Sequence, residues 1–253
     1  MSVDIIVPNF NKGKYLKKAI NSVLKQSYKN WKLYIIDDCS NDESRDILKK
    51  FYRNKKIKIF YLNKRKGPGY CRNLGIIKSK SKFISFLDSD DFWKKNKLKN
   101  QMKIMTKDNL AIVYSDYFTF FEKDNNQSKY LISNVPNNFN FNKFIYNSSI
   151  NTSTLIIKRN LLKNVKFRNL LLHEDYIFKC EIFRKNKNLE AFKTKNKDVF
   201  YRIAKKSRSS GKLKSFYYLW KYNKIFNNLS FFKNFLSIIS ISLNSLKKYG
   251  LQK

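Results

Sequence analysis

The chain is poor in acid. Its 253 residues include 54 Lys or Arg against 18 Asp or Glu, a formal net charge of +36. No acidic residue follows Asp198. A field of this sign draws anionic partners, whether nucleotides, phospholipid surfaces or nucleic acid, and does not choose among them. Frequent Lys, Asn, Ile and Phe also match a codon bias toward AT-rich DNA, which raises Lys without any functional demand. Histidine is almost missing: His173 stands alone, and it reads better as a hydrogen-bonding or surface residue than as a ligand. The three cysteines, Cys39, Cys71 and Cys180, show no paired metal-ligand spacing and no disulfide framework, which suits a reducing cytosol. No apolar run approaches the roughly 20 residues that span a bilayer. Met1-Ser2-Val3-Asp4 leads straight into a strand-like segment, without the basic start or long apolar stretch of a signal peptide. The expected location is cytoplasmic, peripheral on the inner face of the membrane. Hydrophobic content of 42% and this length allow one large or two small domains with a real core.

Against that scarcity, three carboxylates fall within four residues at the end of Phe83-Ile84-Ser85-Phe86-Leu87-Asp88-Ser89-Asp90-Asp91. A strand can bury the apolar run but not that much unpartnered charge, so the carboxylates belong at the strand's exit. Open α/β sheets place ligands at the carboxyl ends of their strands. Asp88 and Asp90 alternate on an extended backbone and can face one cleft. Hard cations such as Mg²⁺ or Mn²⁺ take oxygen ligands and share them with substrate phosphates. The bland alternative is an acidic turn with Asp91 capping the next helix.

The rest of the chain alternates. Val3 to Val7 reads as a strand closed by Pro8-Asn9-Phe10-Asn11. Phe10 either stacks on a base or packs under the next helix. Leu16, Ala19, Ile20, Val23 and Leu24 recur at helical spacing. Leu33 to Ile36 is a second strand, ending in Asp37-Asp38-Cys39-Ser40. A second helix buries Ile47, Leu48 and Phe51, and Ile57 to Leu62 is a third strand. This order argues a mostly parallel sheet covered by helices. The loop Lys64-Arg65-Lys66-Gly67-Pro68-Gly69 then leads to Tyr70-Cys71-Arg72-Asn73-Leu74-Gly75. Its glycines would let backbone approach a ligand, and Arg72 can grip phosphate in a fork; a solvated basic turn is the alternative. The glycine spacing is not a dinucleotide fingerprint. Ala111 to Tyr114 reads as a strand, residues 122–151 as a long loop or lid, and Thr154 to Lys158 as a strand. Arg159 to Asn164 reads as a short helix. Leu172-His173-Glu174-Asp175-Tyr176 opens another helix, where a carboxylate pair is ordinary dipole complementarity. Val199 to Arg202 is a last strand, followed by a basic loop over 205–211. In the tail, Leu229, Phe232, Leu236, Ile239, Leu243 and Leu246 recur at steps of three and four. Such a helix lies on an anionic bilayer, packs on the main domain, or pairs with a second subunit.

Val7-Pro8-Asn9-Phe10-Asn11, Asp37-Asp38-Cys39-Ser40, Gly67 through Gly75, Asp88-Ser89-Asp90-Asp91 and His173-Glu174-Asp175-Tyr176 together resemble the family 2 glycosyltransferases. The resemblance covers residues 3–210 and implies an α/β GT-A (Rossmann-like) fold, a mostly parallel central sheet flanked by helices. It divides the chain into a nucleotide-sugar-binding half (3–115), an acceptor-side half (116–210) and a basic, aromatic helical tail (211–253). It implies that Pro8 and Phe10 line the nucleobase pocket and that Asp38 binds the base edge. Arg72 would lie near the diphosphate with the Gly67 loop. Asp88 and Ser89 would contact the ribose or donor sugar, and Asp90 would bind Mg²⁺ or Mn²⁺. Asp175 would be the general base, with Glu174 beside it. Many relatives carry Tyr at the position of Phe10; stacking survives the change, but a phenol hydrogen bond is lost. The implied activity is inverting transfer of a hexosyl or N-acetylhexosaminyl group from a UDP-linked donor to a hydroxyl. The implied acceptor is a glycan or lipid-linked glycan in surface polysaccharide or glycolipid assembly. Further expected partners are an anionic membrane surface through 213–248 and a second copy of the chain. Two rivals fit less well. A sugar nucleotidyltransferase would open with a Gly-rich loop where Pro8-Asn9-Phe10-Asn11 stands. A nucleic-acid-binding protein fits the charge but shows no recognition module, so no specific nucleic-acid partner is expected.

Overall fold

The computed structural model of the chain describes residues 1–122, 128–203 and 211–249. Among the described residues ten strands form one sheet: β1 (Val3–Asn9), β2 (Trp31–Asp37), β3 (Ile57–Tyr61), β4 (Phe83–Phe86), β5 (Phe92–Trp93), β6 (Ile112–Glu122), β7 (Ser128–Ser133), β8 (Asn138–Phe139), β9 (Ile156–Lys158) and β10 (Ala191–Arg202). The eight helices among the described residues are α1 (Gly13–Leu24), α2 (Ser44–Lys49), α3 (Pro68–Lys78), α4 (Lys97–Lys107), α5 (Phe141–Phe144), α6 (Glu174–Lys185), α7 (Lys212–Asn227) and α8 (Phe231–Tyr249). The sheet runs β3-β2-β1-β4-β9-β6-β10-β5, with β7 on β6 and β8 on β10. β3, β2, β1 and β4 are parallel neighbours, and β6 pairs β10 in parallel. β9 runs antiparallel between β4 and β6.

Burial explains the strand order. Every residue of β1 is buried, as expected of a central strand covered on both faces. α1 buries Leu16, Ala19, Ile20 and Val23 as its spacing requires. α3 lies so close to β1 that a Cβ on Gly75 would collide with Ile6. That glycine therefore serves helix–strand packing rather than ligand approach.

Several expectations are corrected. Residues 122–151 are not one long loop: within them lie β7, β8 and α5, while 123–127 lie outside the described residues. β6 runs on to Glu122 because its polar residues find partners: Asp116 accepts from the Val135 amide at 2.7 Å and pairs with Lys193 at 3.3 Å. β10 begins at Ala191, with bulges flanking Lys197 that absorb the lysine-rich stretch. The expected helix after β9 is a single 3-10 turn, Arg159–Leu162. The tail is two helices, separated by left-handed Asn228, and the expected apolar stripe from Phe232 to Leu246 lies on the second. Residues 205–210 of the expected basic loop lie outside the described residues.

Candidate active site

β1, β2 and β4 end side by side, and their exits build one wall of a cavity of about 820 Å³. This is within the usual range for a small-molecule site. Alternation at the end of β2 gives its two aspartates different work. Asp37 is fully buried and accepts from Asn9 Nδ2 (2.8 Å) and Ser40 Oγ (2.6 Å), tying the first and second motifs together. Asp38 lines the cavity. Its carboxylate also accepts from the amides of Lys66 (2.7 Å) and Gly67 (2.8 Å). Gly67 is not among the cavity-lining residues; it acts through that amide, at φ +89°, where a side chain would be strained. Pro8 and Phe10 line the cavity, with the Arg65 guanidinium 4.0 Å over the Phe10 ring. Phe10 is half-buried and faces the cavity rather than the α1 core.

Arg72, on α3, joins the two acidic stretches. Its Nη2 donates to Asp88 Oδ1 at 2.6 Å, and its Nη1 lies 3.7 Å from Glu174 Oε1. The side chain is buried, and among the described residues neither Nε nor Nη1 makes a hydrogen bond. This buried guanidinium is held between the carboxylates of Asp88 and Glu174 on the cavity wall.

Asp88, Ser89 and Asp90 line the cavity, and Asp91 does not. Asp91 is not a helix cap; α4 starts at Lys97 after Asn96. Instead it is a buried strut, accepting from Ser153 Oγ (2.6 Å) and the Arg202 amide (2.9 Å). Burial, reinforced by Asp90 and Asp88, pushes its carboxyl well above the usual range. Asp90 behaves oppositely. Burial opposes its ionisation, but Lys12 (2.8 Å) and Arg202 (2.7 Å), both on Oδ2, outweigh it and lower the pKa. Among the described residues no cluster of three or more His, Cys, Asp or Glu converges as a closed metal cage. What the site offers a cation is two carboxylates whose remaining oxygens, Asp88 Oδ2 and Asp90 Oδ1, have no hydrogen-bond partner among the described residues. One or two carboxylates plus substrate phosphates is how Mg²⁺ is usually held, so the donor set fits.

The start of α6 supplies another part of the cavity lining. Asp175 and Glu174 stand in its first turn. Asp175 accepts from Lys179 Nζ at 2.9 Å, and Thr152 Oγ1 lies 3.4 Å away. Burial raises the Asp175 pKa, but Lys179, Arg72 and His173 together hold it well below the usual carboxylate range. Its side chain keeps 43% of its surface open. Lys179 is itself buried and also donates to the Ile150 carbonyl at 2.8 Å. His173 adopts a left-handed backbone before α6, and its Nε2 lies 3.0 Å from both oxygens of Ser215 on α7. The tail completes the enclosure through Ser215, Phe216 and Leu219 of α7 and Ile241, Asn244 and Leu246 of α8.

The structure thus gathers Pro8, Phe10, Asp38, Arg72, Asp88, Ser89, Asp90, Glu174 and Asp175 around one cavity. Sequence reading missed Lys12, Lys179 and Arg202. Lys179 had a signal, the i,i+4 spacing from Asp175. Lys12 and Arg202 had none, because their pairs span 78 and 112 residues.

Comparison with known proteins agrees with this geometry. The glycosyl transferase family 2 profile matches residues 4–166. The chain is similar to the Escherichia coli UDP-Glc:alpha-D-GlcNAc-diphosphoundecaprenol beta-1,3-glucosyltransferase WfgD, at 34% identity over 86% of this chain and 83% of that one. Its fold resembles that of S. aureus TarS 1-349, solved in complex with UDP-GlcNAc, with TM-score 0.74 and 20% identity over 100% of this chain and 74% of that one. The Pyrobaculum calidifontis mannosyltransferase PcManGT, solved with GDP-Man and Mn²⁺, superposes with TM-score 0.68 and 12% identity over 99% of this chain and 75% of that one. The sheet is accordingly a GT-A sheet, and the chain belongs to glycosyl transferase family 2.

Proposed function

We propose that the cavity holds a UDP-linked hexose or N-acetylhexosamine and transfers the sugar, with inversion, to a hydroxyl of a lipid-linked glycan in surface polysaccharide assembly. The observation that carries the reading is Arg72, a buried fork shared between the acid cluster of β4 and the acid pair of α6. The names of WfgD and TarS support the class of donor, and WfgD supports the class of acceptor. In this reading residues 3–115 hold the donor, while 116–210 and the tail shape the acceptor side.

Pro8 and Phe10 flank the base, and Asp38, held by the Lys66 and Gly67 amides, reads its edge. Asp88 and Ser89 contact the ribose or sugar. Departure of the nucleoside diphosphate builds negative charge, which the positive charge of Arg72 on the cavity wall stabilises. Lys12 and Arg202 add positive charge beside it. Mg²⁺ or Mn²⁺, when bound, would be held by Asp90 with Asp88 and would neutralise phosphate charge. Asp175 takes the proton of the attacking hydroxyl. Glu174 stays against Arg72 and keeps that guanidinium between the two acidic stretches. One base facing the leaving group gives a single displacement, which inverts the sugar carbon.

Thermal unfolding with UDP-sugars tests this directly. A donor at a hundred times its Kd stabilises the fold by about 2.7 kcal/mol, a rise in Tm of roughly 5–11 °C for a chain of this size. Asp90→Ala removes the Mn²⁺-dependent part of that rise. Asp175→Asn keeps the rise and loses transfer. Absence of a shift with every UDP-sugar tried would overturn the donor assignment.

A further inference from the structure

Helix α8 turns much of its apolar surface away from the domain. Its fully buried side chains are polar, Asn234 at 1% and Ser237 at 0% exposed, with Ile238 and Ile241 partly buried beside them. The side chains it turns outward are large and apolar, among them Phe232 at 68% and Leu243 at 53%, with Phe235 and Ile239 between them. Leu213, Tyr217 and Ile225 of α7 are exposed as well. A helix in water places its apolar stripe on the core. Patches of this kind mark a surface that something else covers.

Two observations choose the occupant. The first is charge. Lys221, Lys224 and Lys233 are exposed on the same hairpin, and no Asp or Glu lies beyond Asp198. A second copy meeting this face would bring the same lysines to the same place, because a two-fold contact is self-complementary. An anionic lipid surface complements them. The second is continuity. α8, about 28 Å long, also walls the cavity that contains Asp175, through Ile241, Asn244 and Leu246. The helix therefore borders the cavity along Ile241 and Asn244 while Phe232, Phe235 and Ile239 face the surroundings.

We infer that the α7–α8 hairpin seats the protein on an anionic bilayer, with the apolar face of α8 among the headgroups and the cavity mouth beside the membrane plane. This rests on the lipid-linked acceptor proposed above, and it gives that acceptor a path: its glycan enters the cavity while its lipid stays in the bilayer. No helix among the described residues is long and apolar enough to cross a membrane, so the attachment is interfacial.

The test is sedimentation of the full chain with phosphatidylglycerol vesicles and with phosphatidylcholine vesicles. Binding is expected to the first and to be weakened by salt. Replacing Lys221, Lys224 and Lys233 together by Gln should weaken it about a hundredfold. Phe232→Ser with Ile239→Ser should weaken it at least about tenfold. Both positions are exposed and outside the cavity, so the Tm and UDP-sugar hydrolysis should be unchanged. Failure of the wild-type chain to bind phosphatidylglycerol vesicles overturns the inference. So does a dimer in solution that Phe232→Ser with Ile239→Ser splits, since a second copy would then cover the face. Loss of UDP-sugar protection would strike the donor assignment alone, because that measurement contains no lipid.

Discussion

Lys179→Met isolates the proposed base. In the folded protein the Lys179 ammonium sits 2.9 Å from Asp175 Oδ2 and is the largest influence holding that carboxyl below the usual range. An opposite charge this close shifts an aspartate by about 1–3 pKa units. Without it, burial pushes upward while Arg72 and His173 still pull downward. The Asp175 pKa should then rise from its depressed position toward the usual carboxylate range. In the wild type the folded pKa is depressed, so its stabilising contribution is present above about pH 4 and is lost as pH falls through the folded value; the variant lacks that loss. The variant also leaves the Ile150 carbonyl without its donor, costing about 1–3 kcal/mol, or roughly 2–12 °C in Tm. The assay is kcat/KM for UDP release against pH, since that ratio reports the free enzyme. The acid limb should move to higher pH in Lys179→Met and stay where it is in Lys179→Arg, which keeps the charge. A folded Lys179→Met protein whose profile matches the wild type would refute Asp175 as the titrating base.

Two further outcomes concern the scaffold. Lys97 is fully buried; its Nζ donates to Ser85 Oγ at 2.8 Å and sits 3.8 Å from the Trp93 ring. Burial lowers its pKa well below the ordinary value, so the unfolded chain binds the extra proton and stability rises with pH from the folded value up to about 10.4. Lys97→Met should flatten that rise, by up to about 1.4 kcal/mol per pH unit, in urea unfolding at pH 7, 8 and 9; an unchanged slope would mean the amine is charged in the fold. Gly75→Ala should lower stability by about 1–3 kcal/mol, because its methyl meets Ile6 of β1; an unchanged melting curve would show that α3 can retreat.

The parts of the fold legible in the sequence are those whose physics is local. β2 and β4 carry apolar runs that stop where charge begins, while β1 buries Asp4 within its run and stops at Pro8-Asn9. The stopping point of β4 lies on the cavity, which is why Asp88 and Asp90 could be named from the strand pattern, while Asp38 was named through the family resemblance. Asp175 was visible only as half of a helix-start pair, and its function depended on a wall that local pattern cannot place. The first half of β10 was hidden because Lys193, Lys195 and Lys197 imitate a solvated stretch, while its neighbours in the sheet are distant in the chain. The orientation of the tail was hidden for a different reason. Apolar spacing marks a stripe but does not say which side faces the domain, and here hydrogen bonds from Asn and Ser decide it.

Those bonds have a mechanical consequence. Asn223 accepts from the Tyr176 hydroxyl at 2.9 Å and donates to Asn234 and Ser237, while Ser237 donates to the Ile145 carbonyl at 2.6 Å. Oily contacts let packed helices slide; a buried chain of directional bonds fixes one alignment and penalises any other. Because Tyr176 adjoins Asp175, tilting or pulling the hairpin would be felt at the neighbouring carboxylate. The tail is thus tied, through Tyr176, to the helix turn that carries the proposed base.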